Sequence, residues 1–175
     1  MNKVSTYIGN QALLQKRKVG FLASRKISTL SVLPTLDWAM QISKQTDVVV
    51  VSGFHSKLEK DVLNILLQGK CGIIVVLARG MYRQIPKQYE EAMQQQRILF
   101  ISNEKDTVTR VSEVSAHKRN DYVMDLADEM KASEDGFEAF RRLREIAESN
   151  GLPNMTLDEI NEEIRLARAE RKRRL

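Results

Sequence analysis

Residues 47–61, DVVVVSGFHSKLEKD, constrain this chain more than any other stretch. Asp47 is followed by four valines, Val48 to Val51. A short run of β-branched residues with no polar alternation suits a strand buried on both faces. Ser52-Gly53 breaks the run, and from Ser56 onward apolar residues return at helical spacing. A buried strand that feeds a small-residue turn and then a helix aims backbone N–H groups and the positive end of a helix dipole at one spot. The hydroxyls of Ser52 and Ser56, the His55 ring and the Lys57 ammonium lie beside that spot. The pattern reads as an anion site, phosphate first, with an ordinary tight strand–helix turn as the alternative.

The same rhythm recurs along the chain. Residues 18–23, 48–51, 72–77 and 97–102 read as strands. Residues 31–44, 56–68, 86–95 and 108–130 read as the helices between and after them. Residues 1–17 read as an N-terminal arm or a short helix. In the first long helix Pro34 is expected in the opening turn. Leu33, Leu36, Trp38, Met40 and Ile42 are the candidates for its buried side. Strands that alternate with helices predict an α/β fold, a Rossmann-like doubly wound parallel sheet of about four strands.

Sheets of this kind bind ligands beyond the carboxyl ends of their strands. Each strand-end loop here carries groups suited to an anion. They are Ser24, Arg25 and Lys26 after the first strand, and Ser52, Gly53, His55, Ser56 and Lys57 after the second. Arg79 and Arg83 follow the third and Ser102 ends the fourth, while the last long helix adds Arg110, His117, Lys118 and Arg119. Their convergence on one rim is the informative feature, since one cation per loop is common.

Length and charge agree with this reading. A chain of 175 residues is long enough to bury roughly 70% of its unfolded surface in one core. The net charge of +5 permits a polyanionic partner. A single cysteine, Cys71, rules out an internal disulfide framework and fits a reducing compartment. With no signal-peptide pattern and no apolar run of membrane-spanning length, a cytoplasmic protein is expected. No cofactor, metal site or catalytic residue is expected; His55 is a candidate phosphate contact rather than a catalytic group, and His117 reads as a solvated helix residue or a phosphate contact rather than a base.

After residue 130 the character changes, which divides the chain into 1–130 and 131–175. Residues 131–136 read as a linker. Residues 137–150 read as a helix with Phe137, Phe140, Leu143, Ile146 and Ala147 on one side. Thr156 and Glu159 form a capping box for a last helix that runs from acidic to basic, as the macrodipole favours. Its stripe of Leu157, Ile160 and Ile164 is narrow and needs a surface to lie on. A C-terminal two-helix extension is therefore expected.

Several motifs in order carry a family resemblance. Tyr7-Ile8-Gly9-Asn10, the run VGFLASRKIS over 19–28, and Ser52-Gly53-Phe54-His55-Ser56 come first. The loop 78–86 ending in Ile85-Pro86, and His117-Lys118-Arg119-Asn120 with Leu126-Ala127-Asp128, complete the set. Together, over about 7–129, they resemble the Rossmann-like domain of DNA-processing protein A, the DprA/Smf family, in a shorter subgroup reading SGFHSxxEK. The resemblance implies a protein without catalytic activity that binds single-stranded DNA in a basic pocket and serves recombination during DNA uptake. It implies Arg25, Lys26, Ser52, Lys57, Arg79 and Arg119 as pocket residues. It also implies that a further apolar strand should follow Asp128. Residues 130–134 do not look like one, so the edge of the fourth strand is expected to be covered by the C-terminal helices or by a second chain. A counterpart of the family's C-terminal winged-helix domain is not expected. Residues 150–164 resemble the closing segment of bacterial antitoxins.

Two other functions remain open. One is a nucleotide-handling enzyme of the lysine-decarboxylase-like phosphoribohydrolase type, although its P-G-G-x-G-T loop is missing. The other is an interaction protein whose tail docks on a toxin or a twin chain. The expected partners are single-stranded DNA or a nucleotide, with a second copy in a homodimer, a recombinase and a toxin as protein candidates, and no membrane.

Overall fold

The computed structural model describes residues 5–23 and 28–132. Ser24, Arg25, Lys26, the two C-terminal helices and the antitoxin-like segment lie outside the described residues. The described residues build a six-stranded sheet. Its strands are β1 (Thr6–Gly9), β2 (Arg17–Leu22), β3 (Val48–Ser52), β4 (Gly72–Leu77), β5 (Ile98–Ser102) and β6 (Glu129–Ala132). The helices are α1 (Thr29–Ile42), α2 (Lys57–Leu67), α3 (Glu90–Gln94) and α4 (Glu113–Leu126), with 3₁₀ turns at Gln11–Gln15 and Lys87–Tyr89.

The strand order is β1-β5-β4-β3-β2-β6. Strands β2 to β6 are parallel to their neighbours, and β1 runs antiparallel to β5. From β2 the chain winds one way to β5, then crosses back through α4 to place β6 on the far side of β2. The direction of winding therefore reverses between β2 and β6, which makes the carboxyl edge there the switch point of the sheet.

The valine run behaves as its composition requires. Val48 to Val51 are each at most 1% exposed, and alternation divides them between two cores. Val50, Ile73, Val75 and Phe100 meet Ala39 and Ile42 of α1 and Leu58, Val62 and Leu66 of α2. Val49, Val51, Ile74, Val76, Leu99 and Ile101 meet Leu13 and Val123 of α4 on the opposite face. Helices on both faces explain why the central strands carry no polar side.

Two expectations need correction. The sheet has six strands among the described residues, not four, because both edge strands escaped the pattern. The edge of the fourth strand of the sequence reading, β5, which was expected to need the C-terminal helices or a second chain, is taken by β1 in the register Ile8↔Phe100. A strand does follow Asp128. β6 pairs with β2 in the register Gly20↔Met130, and it is fastened by polar contacts rather than by an apolar run. Lys18 N–H donates to Asp128 Oδ2 at 2.7 Å and Lys18 Nζ to the same oxygen at 3.0 Å. Asp128 N–H returns a bond to Lys18 O at 2.9 Å, and Arg17 pairs with Glu129 at 3.2 Å. Gly20 completes the seam: a Cβ there would run into Met130 Sδ. Both edges are four residues long, and β6 carries Glu129 and Lys131; short edges, and charges on them, resist pairing with other chains.

Helix α1 also differs from expectation. It begins at Thr29, so Pro34 lies in its second turn rather than its first. Its buried positions are Thr35, Ala39 and Ile42, with Leu36 and Trp38 half-buried. Leu33 and Met40 are exposed, at 70% and 46%.

Candidate nucleic-acid interface

At the carboxyl end of β3 the chain turns through Gly53 and Phe54. Ser52 is fully buried, and its Oγ accepts the Phe54 N–H at 3.1 Å. Phe54 takes a positive φ of 47°, a conformation bulky residues rarely adopt. Its ring is 6% exposed and packs in the α1–α2 core, which holds the turn in place. Ser56 then caps α2, accepting the Glu59 N–H at 3.3 Å.

Glu59 decides the electrostatics of this turn. It is 3% exposed. Its carboxylate accepts N–H bonds from His55 at 2.7 Å, Ser56 at 3.1 Å and Ala23 at 2.9 Å. The positive end of α2 is thus already matched with an anion that the chain itself supplies. The Ala23, His55 and Ser56 amides around this turn are occupied by this carboxylate. The pattern Ser56-x-x-Glu59 carries the same information as a capping box. The bond to Ala23 ties the foot of the loop after β2 to the turn after β3.

Cationic side chains converge just beyond this turn. A cleft of about 500 Å³ is lined by Gly53, His55, Lys60, Arg79, Tyr82 and Arg119, among others. No carboxylate is among its described lining residues. Arg119 comes from α4 and is 8% exposed. Its Nε and Nη2 donate to Asn120 Oδ1 at 3.0 and 2.8 Å. The guanidinium lies against the backbone at Gly53, where any Cβ would strike it. Arg79 follows β4, with its guanidinium carbon 5.7 Å from the centre of the Tyr82 ring. The Arg79 Nε is buried and has no hydrogen-bond partner among the described residues. Ser102 at the end of β5 is fully buried and donates to Arg79 O at 2.7 Å, so its hydroxyl positions the arginine loop. Tyr89 forms part of the wall, and burial holds its phenol above the ordinary range.

Of the residues singled out from the sequence, Gly53, His55, Arg79 and Arg119 line this cleft. Ser52 and Ser56 lie behind it as turn and cap. Lys57 is 95% exposed, with its Nζ 3.8 Å from Asp61 Oδ2, and is not among the lining residues. Lys60, one helical turn later, is. Lys60, Tyr82 and Glu59 acquire their roles only from the pitch of α2 and the placement of the β4 loop. No group of three His, Cys, Asp or Glu among the described residues could hold a metal ion. None of the described helices is long and apolar enough to cross a membrane.

The family model for DNA recombination-mediator protein A matches residues 3–133. The chain belongs to this family. Two solved structures of DNA processing protein A share its fold. The protein from Streptococcus pneumoniae aligns with a TM-score of 0.58 at 20% identity, over 73% of this chain and 45% of that one. The protein from Helicobacter pylori aligns with a TM-score of 0.57 at 21% identity, over 73% of this chain and 59% of that one. The chain thus spans about half the length of these relatives. The Helicobacter pylori protein binds single-stranded DNA. None of the curated proteins matches the chain.

Proposed function

We propose that this member of the DNA recombination-mediator protein A family binds single-stranded DNA without catalysing a reaction, and that backbone phosphates sit in the cleft lined by Lys60, Arg79 and Arg119. The observation that carries this reading is the charge of the cleft. Four potentially cationic side chains converge there from two helices and two loops, with no described carboxylate among them. Glu59 takes the His55 and Ser56 N–H groups ahead of α2, which gives the cationic side chains the larger part in meeting the ligand. The unpartnered Arg79 Nε offers a donor that a phosphate oxygen satisfies. Tyr82 adds an aromatic face beside the cation, the combination on which single strands stack. The single-stranded DNA bound by the Helicobacter pylori relative supports the choice of polyanion. Ser24, Arg25 and Lys26 are proposed as outer contacts, since Ala23 at the foot of their loop is fastened to the same turn. Lys57 is proposed as a further outer contact on the exposed end of α2.

The test is anisotropy of a labelled thymidine oligomer with the full chain. Lys60→Ala should weaken binding about fivefold, the worth of one phosphate contact at low salt. Lys70→Ala is the control; Lys70 is exposed beside the opposite, amino end of β4. Equal losses in the two variants would mean that the cleft is not where the strand binds.

A further inference from the structure

A second cleft, about 380 Å³, opens beneath α4. Val76, Leu77 and Arg119 line both clefts, so the two meet at the carboxyl end of β4 with Arg119 at their boundary. Their charges differ in kind. The first cleft carries His55, Lys60, Arg79 and Arg119 and no described carboxylate. The second sets Glu104, Asp121 and Asp125 against Lys118 and Arg119. A phosphate entering it meets three carboxylates within one small cavity, a repulsion that low dielectric strengthens. A neutral base meets acceptors instead.

We infer that the α4 cleft is a base subsite beside the phosphate cleft, and that it selects guanine over thymine through Glu104 and Asp125. The inference rests on the phosphate reading of the first cleft. A nucleotide that straddles Arg119 places its phosphate among the cations and its base among the carboxylates. Carboxylates read bases by accepting from their N–H groups. The Watson–Crick edge of guanine presents N1–H and the N2 amino group side by side, which one carboxylate accepts as a pair. Thymine presents one N–H between two carbonyl oxygens, and a carboxylate repels both. Asp121 is already engaged within the protein, which leaves Glu104 and Asp125 to do the reading. Asp125 is exposed and Glu104 half-buried, so both are open to a ligand and neither is needed by the core. Tyr122 supplies an aromatic side chain in the same cleft.

The experiment measures deoxyguanosine and thymidine 5′-monophosphates as competitors of a labelled thymidine oligomer on the full chain. The native protein should prefer the guanine nucleotide about tenfold, the discrimination of one bidentate pair. Glu104→Gln with Asp125→Asn should reduce that preference to less than about twofold. Equal competition by the two nucleotides on the native protein overturns the base subsite and leaves the phosphate reading standing. A preference that survives in the folded double variant also overturns it. Failure of both nucleotides to compete overturns the subsite and the phosphate reading together. If the double variant does not fold, the native comparison alone decides.

Discussion

The hydrogen on the Cα of Gly53 leaves the space in which the Arg119 guanidinium rests. The atoms a methyl group would strike are the far end of a flexible side chain, so the backbone need not move. Gly53→Ala should therefore displace the guanidinium and weaken single-stranded DNA binding about tenfold, the worth of one charge-assisted hydrogen bond. Unfolding in urea should stay within about 1 kcal/mol of the native protein. A large loss of stability with unchanged binding would contradict this placement of Arg119. Residue patterns gave part of the site. Arg79 and Arg119 stand at motif positions and line the cleft, whereas Lys60 was passed over for Lys57. The two lysines share a helix and differ by one turn, and only the position of the cleft distinguishes them. Ser102 was read as a strand-end hydroxyl for anions, yet its bond goes to Arg79 O. Where a hydroxyl points is decided by the fold around it.

Among elements, the edge strand β6 depends on polar fasteners. The Asp128 carboxyl is held below its ordinary range by the Lys18 N–H and then by the Lys18 ammonium. A carboxyl lowered in the folded state contributes stability above its unfolded pKa of about 3.9, and that contribution is lost as pH falls through the lowered folded value. Amide protection in β6 and along its seam with β2, measured against the intrinsic exchange rate at each pH, should fall on acidification below about pH 4, and Asp128→Asn should show lowered protection already at neutral pH. Exchange in β6 that ignores both changes would remove Asp128 as its anchor. At the other end of α2, Arg97 donates to Leu67 O at 2.9 Å and to Cys71 O at 3.0 Å, and also reaches Leu66 O. One planar fork closes the helix C-terminus and fixes the start of β4. Arg97→Ala should cost about 2 kcal/mol in urea unfolding, and Arg97→Lys should not restore it, because an ammonium lacks the fork. Full rescue by lysine would show that charge alone suffices there.

At the scale of the whole molecule, the central strands were legible because burial on both faces leaves unbroken apolar runs such as Val48 to Val51. The edge strands were not. Among the described residues β1 and β6 pair on one side only, and they carry Gly9, Glu129 and Lys131, which no run of apolar residues announces. The expectation that C-terminal helices or a second chain would cover the fourth strand rested on seeing no strand after Asp128, and it overlooked β1, whose four residues read as part of an N-terminal arm. The rim of the sheet was legible as a place, since α/β topology sends every strand-end loop there. Its chemistry was less so, because Glu59 takes the Ala23, His55 and Ser56 amides around the turn before α2.

The central claim is that Lys60 and Arg79 neutralise phosphates of a bound single strand. The direct measurement is the salt dependence of binding, native protein against Lys60→Ala with Arg79→Ala. Each phosphate contact contributes about 0.7 to the slope of log K against log salt for a single strand. The account predicts a slope shallower by about 1.4 in the double variant; an unchanged slope would contradict it.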